Sequence, residues 1–238
     1  MSGERMTRVL VVAAHPDDEI LGCGGVMARH SAAGDEVRVL IVAEGATSRD
    51  GNDGNDGKAE VAKLQAAARA AAKVVGAAEV RFLGLPDNRL DGLQLLDVVQ
   101  ALEAVIAELQ PHTVYTHHGG DLNLDHRIVH QAVLTACRPL PGQTVRALYA
   151  FEVASSSEWG SQATGGGFAP DTFIDVAATI EAKLQALRCY DLEMRDFPHA
   201  RSYDAVRAQA TLRGASVGCT AAEAFMLIRR VTSADEQP

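Results

Sequence analysis

Val9-Leu10-Val11-Val12-Ala13-Ala14-His15-Pro16-Asp17-Asp18-Glu19 is an apolar run that ends abruptly in one imidazole and three carboxylates. A short apolar run of this kind reads as a buried strand. A polar cluster at the end of a buried strand is costly unless something positive sits in it. Pro16 fixes its own φ and discourages helix at His15, so the chain turns sharply where the polar groups begin. Across that turn His15 and Asp18 can point at one spot, while Asp17 is aimed elsewhere, free to face a substrate instead of a metal.

A second polar knot follows another β-branched and aromatic run, Thr113-Val114-Tyr115-Thr116, and reads His117-His118-Gly119-Gly120-Asp121-Leu122-Asn123-Leu124-Asp125-His126. Two strand ends therefore carry imidazoles and carboxylates. Catalytic zinc takes three N/O protein ligands and keeps a position open for water, which this mixture can supply. Spacing leaves the choice of histidine open. His126 and His130 share a face of a predicted helix, as in metal-binding His-x-x-x-His pairs, but Arg127 stands where such pairs carry Glu, and His117 and His118 compete as well.

The two knots resemble the signatures of the PIG-L/LmbE-like zinc-dependent N-acetylglucosaminyl deacetylases, an Ala-His-Pro-Asp-Asp-Glu turn and a later Asp-His pair. Ala13 to Glu19 matches the first at every position. The second departs from the commoner His-Pro-Asp-His: here Asn123-Leu124-Asp125-His126 keeps the Asp and the last His and replaces the earlier His with Asn. The resemblance extends over roughly residues 7 to 230 and implies a Rossmann-like fold, one zinc ion per chain on His15, Asp18 and His126, and Asp17 as general base. It implies hydrolysis of the acetamide of an N-acetylated amino sugar of the GlcNAc type, or of its conjugate. Asn123 cannot transfer a proton at neutral pH but can donate a hydrogen bond to an oxyanion, and Asp125 is expected to orient a neighbouring ligand. Assembly into a homo-oligomer follows only by analogy with the family.

At 238 residues the chain is expected to form a single domain over 1–238, with its core over about 7–230. It has no apolar run of about 18 residues to span a bilayer. Met1-Ser2-Gly3-Glu4-Arg5 lacks the features of a secretory signal, so a cytoplasmic location is expected. Four cysteines, Cys23, Cys137, Cys189 and Cys219, without a Cys-x-x-Cys pair, agree with a reducing compartment. A net charge of −9 without a Lys/Arg cluster argues against nucleic acid and for a small, locally recognised substrate.

Strands are expected over 8–14, 36–42, 80–83, 113–116, 145–151 and 224–230, with helices between them, including one through Gly22-Cys23-Gly24-Gly25 and Val26 to His30. This alternation predicts an α/β fold with a mainly parallel sheet, helices on both faces and the site at the carboxyl ends of the strands. The glycine tetrad fails as a dinucleotide loop, because the third glycine of Gly-x-Gly-x-x-Gly falls on Met27. Gly51 to Gly57 reads as a flexible flap. Candidate substrate contacts are Arg49, which can clamp an anionic group, Asn88 and His118 near the mouth, Glu152, and Trp159, whose ring suits sugar stacking. Two alternatives use the same chain differently: a metal-dependent hydrolase of another amide or ester, and a nucleotide-binding Rossmann protein without hydrolysis.

Overall fold

The structure is a computed structural model, and it describes residues 6–46, 55–161 and 166–232. Among these residues seven strands form one sheet. They are β1 (Arg8–Ala13), β2 (Glu36–Ala43), β3 (Glu79–Leu85), β4 (Thr113–His117), β5 (Ala147–Phe151), β6 (Thr172–Asp175) and β7 (Ala222–Arg230). Their order is β3-β2-β1-β4-β5-β7-β6; the first five run parallel, β7 is antiparallel to β5, and β6 is antiparallel to β7. The helices are α1 (Asp18–Ala32), α2 (Asn55–Val74), α3 (Leu95–Leu109), α4 (Leu124–Ala136), α5 (Ile180–Leu187) and α6 (Tyr203–Ala215).

Side chains alternate across a strand, and β1 feeds two cores accordingly. Val9 and Val11 pack with α1, α2, α5 and α6, and Leu10 and Val12 pack with α3 and α4. Both faces of the sheet are thus covered, as parallel sheets require. The chain runs outward from β1 through β2 to β3, then returns to place β4 on the other side of β1. That reversal opens a crevice beyond the carboxyl ends of β1 and β4, where open α/β sheets bind ligands. Both polar knots emerge there.

Three details differ from the sequence reading. Helix α1 begins at Asp18, before the glycine tetrad, and is kinked at Cys23, where φ is −148° and ψ 26°. Beyond the kink the amides of Gly25 and Val26 donate to the two carboxylate oxygens of Glu223 on β7, at 3.0 and 2.7 Å, in place of helix carbonyls. Strand β6 was not expected; four residues pairing only at the sheet edge are too short for a clear period-2 pattern. The predicted flap over 51–57 overlaps α2, which starts at Asn55, while 47–54 lie outside the described residues.

The glycine tetrad serves close packing. A Cβ on Gly22 would stand 2.3 Å from Cδ2 of Phe151, so α1 approaches β5 at a distance only glycine permits. No helix among the described residues is long and apolar enough to cross a membrane.

Candidate metal centre and active site

His15 follows β1, Asp18 opens α1 and His126 lies in the first turn of α4, so the strand ends at the switch point bring two imidazoles and a carboxylate together. His126 Nε2 is 3.1 Å and His15 Nδ1 3.3 Å from the same oxygen, Asp18 Oδ2. That oxygen also accepts the His15 backbone N–H at 2.9 Å, which closes the turn through Pro16. One ligand atom from each residue lies within 4.8 Å of the others.

Each imidazole is backed by carboxylate on its far nitrogen. His15 Nε2 is 3.1 Å from Asp125 Oδ2 and 3.3 Å from Asp87 Oδ1. His126 Nδ1 is 3.1 Å from Asp121 Oδ1. Asp121 is held in turn by the hydroxyls of Ser156 and Ser157 and by the Asn123 amide at 2.9 Å. Metal-binding histidines are commonly oriented this way, their free N–H donated to a carboxylate. Burial works against charge on both rings, but Asp125 and Asp18 outweigh it at His15, pushing its pKa up to about 10. Asp18 and Asp121 do the same at His126, up to about 9. Burial works against the Asp18 charge too, yet His126 and His15 hold that carboxyl well below its ordinary range.

A second trio, His15, Asp87 and Asp125, is also close enough to hold an ion. Unsatisfied polar atoms distinguish the two. Asp18 Oδ1 and both ring nitrogens of His126 are buried with no hydrogen-bond partner, the two nitrogens standing only at ion-pair range from Asp18 and Asp121, and a buried polar atom left so is costly unless a ligand meets it. Asp125, by contrast, accepts the Asn88 and Leu90 amides at 2.8 and 3.1 Å besides facing His15. The residues of the first trio therefore fit a cation, and two nitrogens with one oxygen suit zinc.

The competing histidines are engaged elsewhere. The Ala14 amide donates to His117 Nε2 at 2.7 Å, so that nitrogen is an acceptor, and burial holds the ring's pKa well below its ordinary value. The neutral ring stacks on His126 with centroids 3.9 Å apart and walls it in. His130 turns away from the trio and donates Nδ1–H to the His117 carbonyl at 2.7 Å. His118 Nε2 is 3.1 Å from the Gly166 carbonyl, and its ring meets Phe168 edge-on.

Asn123 is the N-cap of α4: its Oδ1 accepts the Asp125 amide at 2.8 Å and the His126 amide at 3.4 Å. Because the cap consumes the oxygen, the amide nitrogen faces outward, 3.3 Å from Asn88 Oδ1. Asp17 is buried with φ 106°, a region that L residues avoid. Its amide donates to Glu19 Oε2 at 3.0 Å, and Glu19 Oε1 accepts the Tyr190 hydroxyl at 2.6 Å. Its carboxylate accepts from Arg201 Nη1 at 2.8 Å. Burial pushes the Asp17 carboxyl well above the ordinary range, with Arg201 pulling the other way.

Of the expected substrate contacts, Arg49 lies outside the described residues. Asn88, at φ 50°, adjoins Asp125 and Asn123. Trp159 is 52% exposed and meets His199 edge-on at 6.0 Å. Both oxygens of Glu152 are engaged by Arg213 of α6, at 2.8 and 2.7 Å. Asp121, Ser156, Ser157 and Arg201 were not singled out from sequence. Asp121 stands in the second knot, but nothing local says which ring its carboxylate faces; Arg201 is far along the chain from Asp17 and shares no motif with it.

The family GlcNAc-PI de-N-acetylase, PIG-L, matches residues 10–137. The 1D-myo-inositol 2-acetamido-2-deoxy-alpha-D-glucopyranoside deacetylase of Mycolicibacterium smegmatis is 30% identical over 251 aligned positions, covering 85% of this chain and 86% of that protein. Among solved structures, N,N'-diacetylchitobiose deacetylase from Pyrococcus horikoshii superposes with a TM-score of 0.76 at 18% identity, covering 94% of this chain and 84% of that one. The 4-carboxy-2-hydroxymuconate hydratase of Pseudomonas putida KT2440 superposes at 0.74 with 22% identity, covering 98% of this chain and 100% of that one. At such identities the two structures establish the shared fold. With the family match spanning more than half the residues, both strand-end knots included, this chain belongs to the PIG-L family.

Proposed function

We propose that the protein is a zinc-dependent N-deacetylase that hydrolyses the acetamide of a GlcNAc-type amino sugar, or of its conjugate, to acetate and a free amine. The observation that carries this reading is the meeting of His15, Asp18 and His126 at the switch point, with orphaned buried atoms on Asp18 and His126. Membership of the PIG-L family and the likeness to an enzyme named for deacetylating an acetamido sugar support it. The four free cysteines fit a reducing, cytoplasmic setting.

Zinc bound at these three residues supplies a Lewis acid for the acetyl carbonyl and lowers the pKa of water. The chain's own groups do the rest. Asp17 takes a proton from the attacking water and returns it to the nitrogen as the C–N bond breaks; its burial raises its proton affinity, which suits a group that must both accept and donate. Asp125 and Asp121 keep the rings of His15 and His126 turned toward Asp18. The Asn123 amide, its oxygen held by the helix cap, offers N–H to the oxyanion, and since Asn has no titratable proton the acid–base work falls on Asp17 alone. Asn88, His118, Trp159, Arg49 and Glu152 remain the proposed substrate contacts, with the exposed indole of Trp159 available to stack on a sugar face.

The test is release of free amine from a panel of N-acetyl amino sugars and their nucleotide or lipid conjugates by zinc-loaded protein, with Asp17→Asn as control. Amine release that disappears in the variant supports the reading and ranks the substrates. No release from any member by zinc-bound protein would overturn the sugar assignment and point to another amide.

A further inference from the structure

Among the described residues, four non-glycine residues have left-handed φ: Asp17, Asn88, Gln110 and Ser155. Two of them hold the same guanidinium. Arg201 Nη1 donates to Asp17 Oδ2 at 2.8 Å, and Arg201 Nε donates to Ser155 Oγ at 2.8 Å. Backbone in sparsely populated regions persists only where its surroundings over-determine it, and it concentrates at functional sites.

Both ends of this contact are anchored. The Arg201 amide donates to His199 Nδ1 at 3.0 Å, and the next residue, Ser202, caps α6 by accepting the Ala205 amide at 3.1 Å. Ser155 is fixed through its amide, which donates to Glu158 Oε1 at 2.6 Å. The neighbouring Ser156 and Ser157 hold Asp121 behind His126. One loop after β5 therefore steadies both a ring of the candidate metal centre and the guanidinium that grips Asp17. Among the described residues Arg201 is the only donor to the Asp17 carboxylate, and it reaches a single oxygen, Oδ2.

We propose that Arg201 is a positioning residue: pinned between Ser155 and Asp17, it commits Oδ2 of Asp17 and leaves Oδ1 as the oxygen that receives the proton of water and returns it to the leaving nitrogen. The inference rests on Asp17 being the general base. The planar guanidinium fork suits this role, because it meets two partners in fixed directions, whereas the ammonium of lysine is a point charge on a flexible stem.

The experiment compares wild type with Arg201→Ala, Arg201→Lys and Ser155→Ala, all zinc-loaded and checked for metal content and melting temperature. The readouts are kcat and KM on the acetamide substrate, and the Asp17 rotamer in crystal structures of wild type and Arg201→Ala. The expected result is a fall in kcat on the order of 100-fold for Arg201→Ala, the lower part of what a positioned acid–base group contributes, with KM within about threefold. Arg201→Lys and Ser155→Ala should fall between, and the Asp17 carboxylate should leave its wild-type rotamer in Arg201→Ala. Full activity in Arg201→Lys, a change in KM alone, or an Asp17 that keeps its rotamer without Arg201 would each overturn the proposal. Should wild type itself release no amine, the deacetylase reading falls, and the rotamer comparison alone then decides whether Arg201 positions Asp17. Because Ser155→Ala leaves the guanidinium in place, it keeps the test open if Arg201→Ala fails to fold.

Discussion

Asp121 Oδ1 lies 3.1 Å from His126 Nδ1, across the imidazole from the nitrogen that faces Asp18. The carboxylate thereby fixes which nitrogen of His126 is turned toward the trio, as Asp125 does for His15.

Asp121→Asn keeps the shape of that contact and removes its charge. Zinc affinity, measured by competition with a chromophoric chelator, is expected to fall about 10–100-fold, the usual cost of losing such a partner. Ser157→Ala, which removes one of the hydroxyls donating to Asp121, should lower it less. An Asp121→Asn variant that binds zinc as tightly as wild type would remove the orienting role.

Asn123 combines two functions that substitution can separate. Asn123→Ala loses the helix cap and should cost about 1 kcal/mol of stability in chemical denaturation. Asn123→Ser retains a capping oxygen but withdraws the amide donor, so it should unfold near wild type while kcat drops on the order of 100-fold. If Asn123→Ser deacetylates at the wild-type rate, Asn123 is a cap and nothing more.

Lys183 and Glu223 form a buried pair at 2.6 Å beneath the kink of α1, where Lys183 also donates to the Leu21 carbonyl at 2.8 Å. Lys183→Met strands a buried carboxylate and should destabilise the fold by roughly 3–5 kcal/mol. The double change Lys183→Met with Glu223→Gln should recover part of that loss, since the glutamine is neutral. Denaturant midpoints of the two variants give the comparison; equal midpoints would mean that the pair contributes through packing and not charge.

Gly22→Ala places a methyl group against the Phe151 ring with no room to accommodate it. Overpacking of this kind costs about 1–3 kcal/mol, and the expected outcome is a lower melting temperature. Because Phe151 also packs against His117, with ring centroids 4.7 Å apart, zinc affinity should weaken too. Wild-type stability in Gly22→Ala would show that α1 can lift from β5 freely.

The parallel sheet was legible because its strands are apolar runs bounded by turns, and because a run ending in His15-Pro16-Asp17-Asp18 can be neither loop filler nor core. Periodicity and turn chemistry act over a few residues, which is why β1 to β5 stand close to their expected bounds. Helix α1 starts at Asp18, four residues ahead of its expected start, and beyond the kink at Cys23 its amides are met by Glu223 from the other end of the chain, a partner that no local pattern gives.

The identities of His15, Asp17 and Asp18 and the turn that separates their directions are local properties, set by a proline and a strand end, and the chain written out already contains them. Which histidine joins them is not local. His117, His118, His126 and His130 lie within one short stretch of similar chemistry, and only the return of the chain to place β4 beside β1 turns His126 toward Asp18 while His117 accepts from Ala14. The same holds for Asp121 behind His126 and Arg201 on Asp17: charges far apart in sequence become partners through the folding of the sheet, and no residue pattern along the chain encodes that proximity.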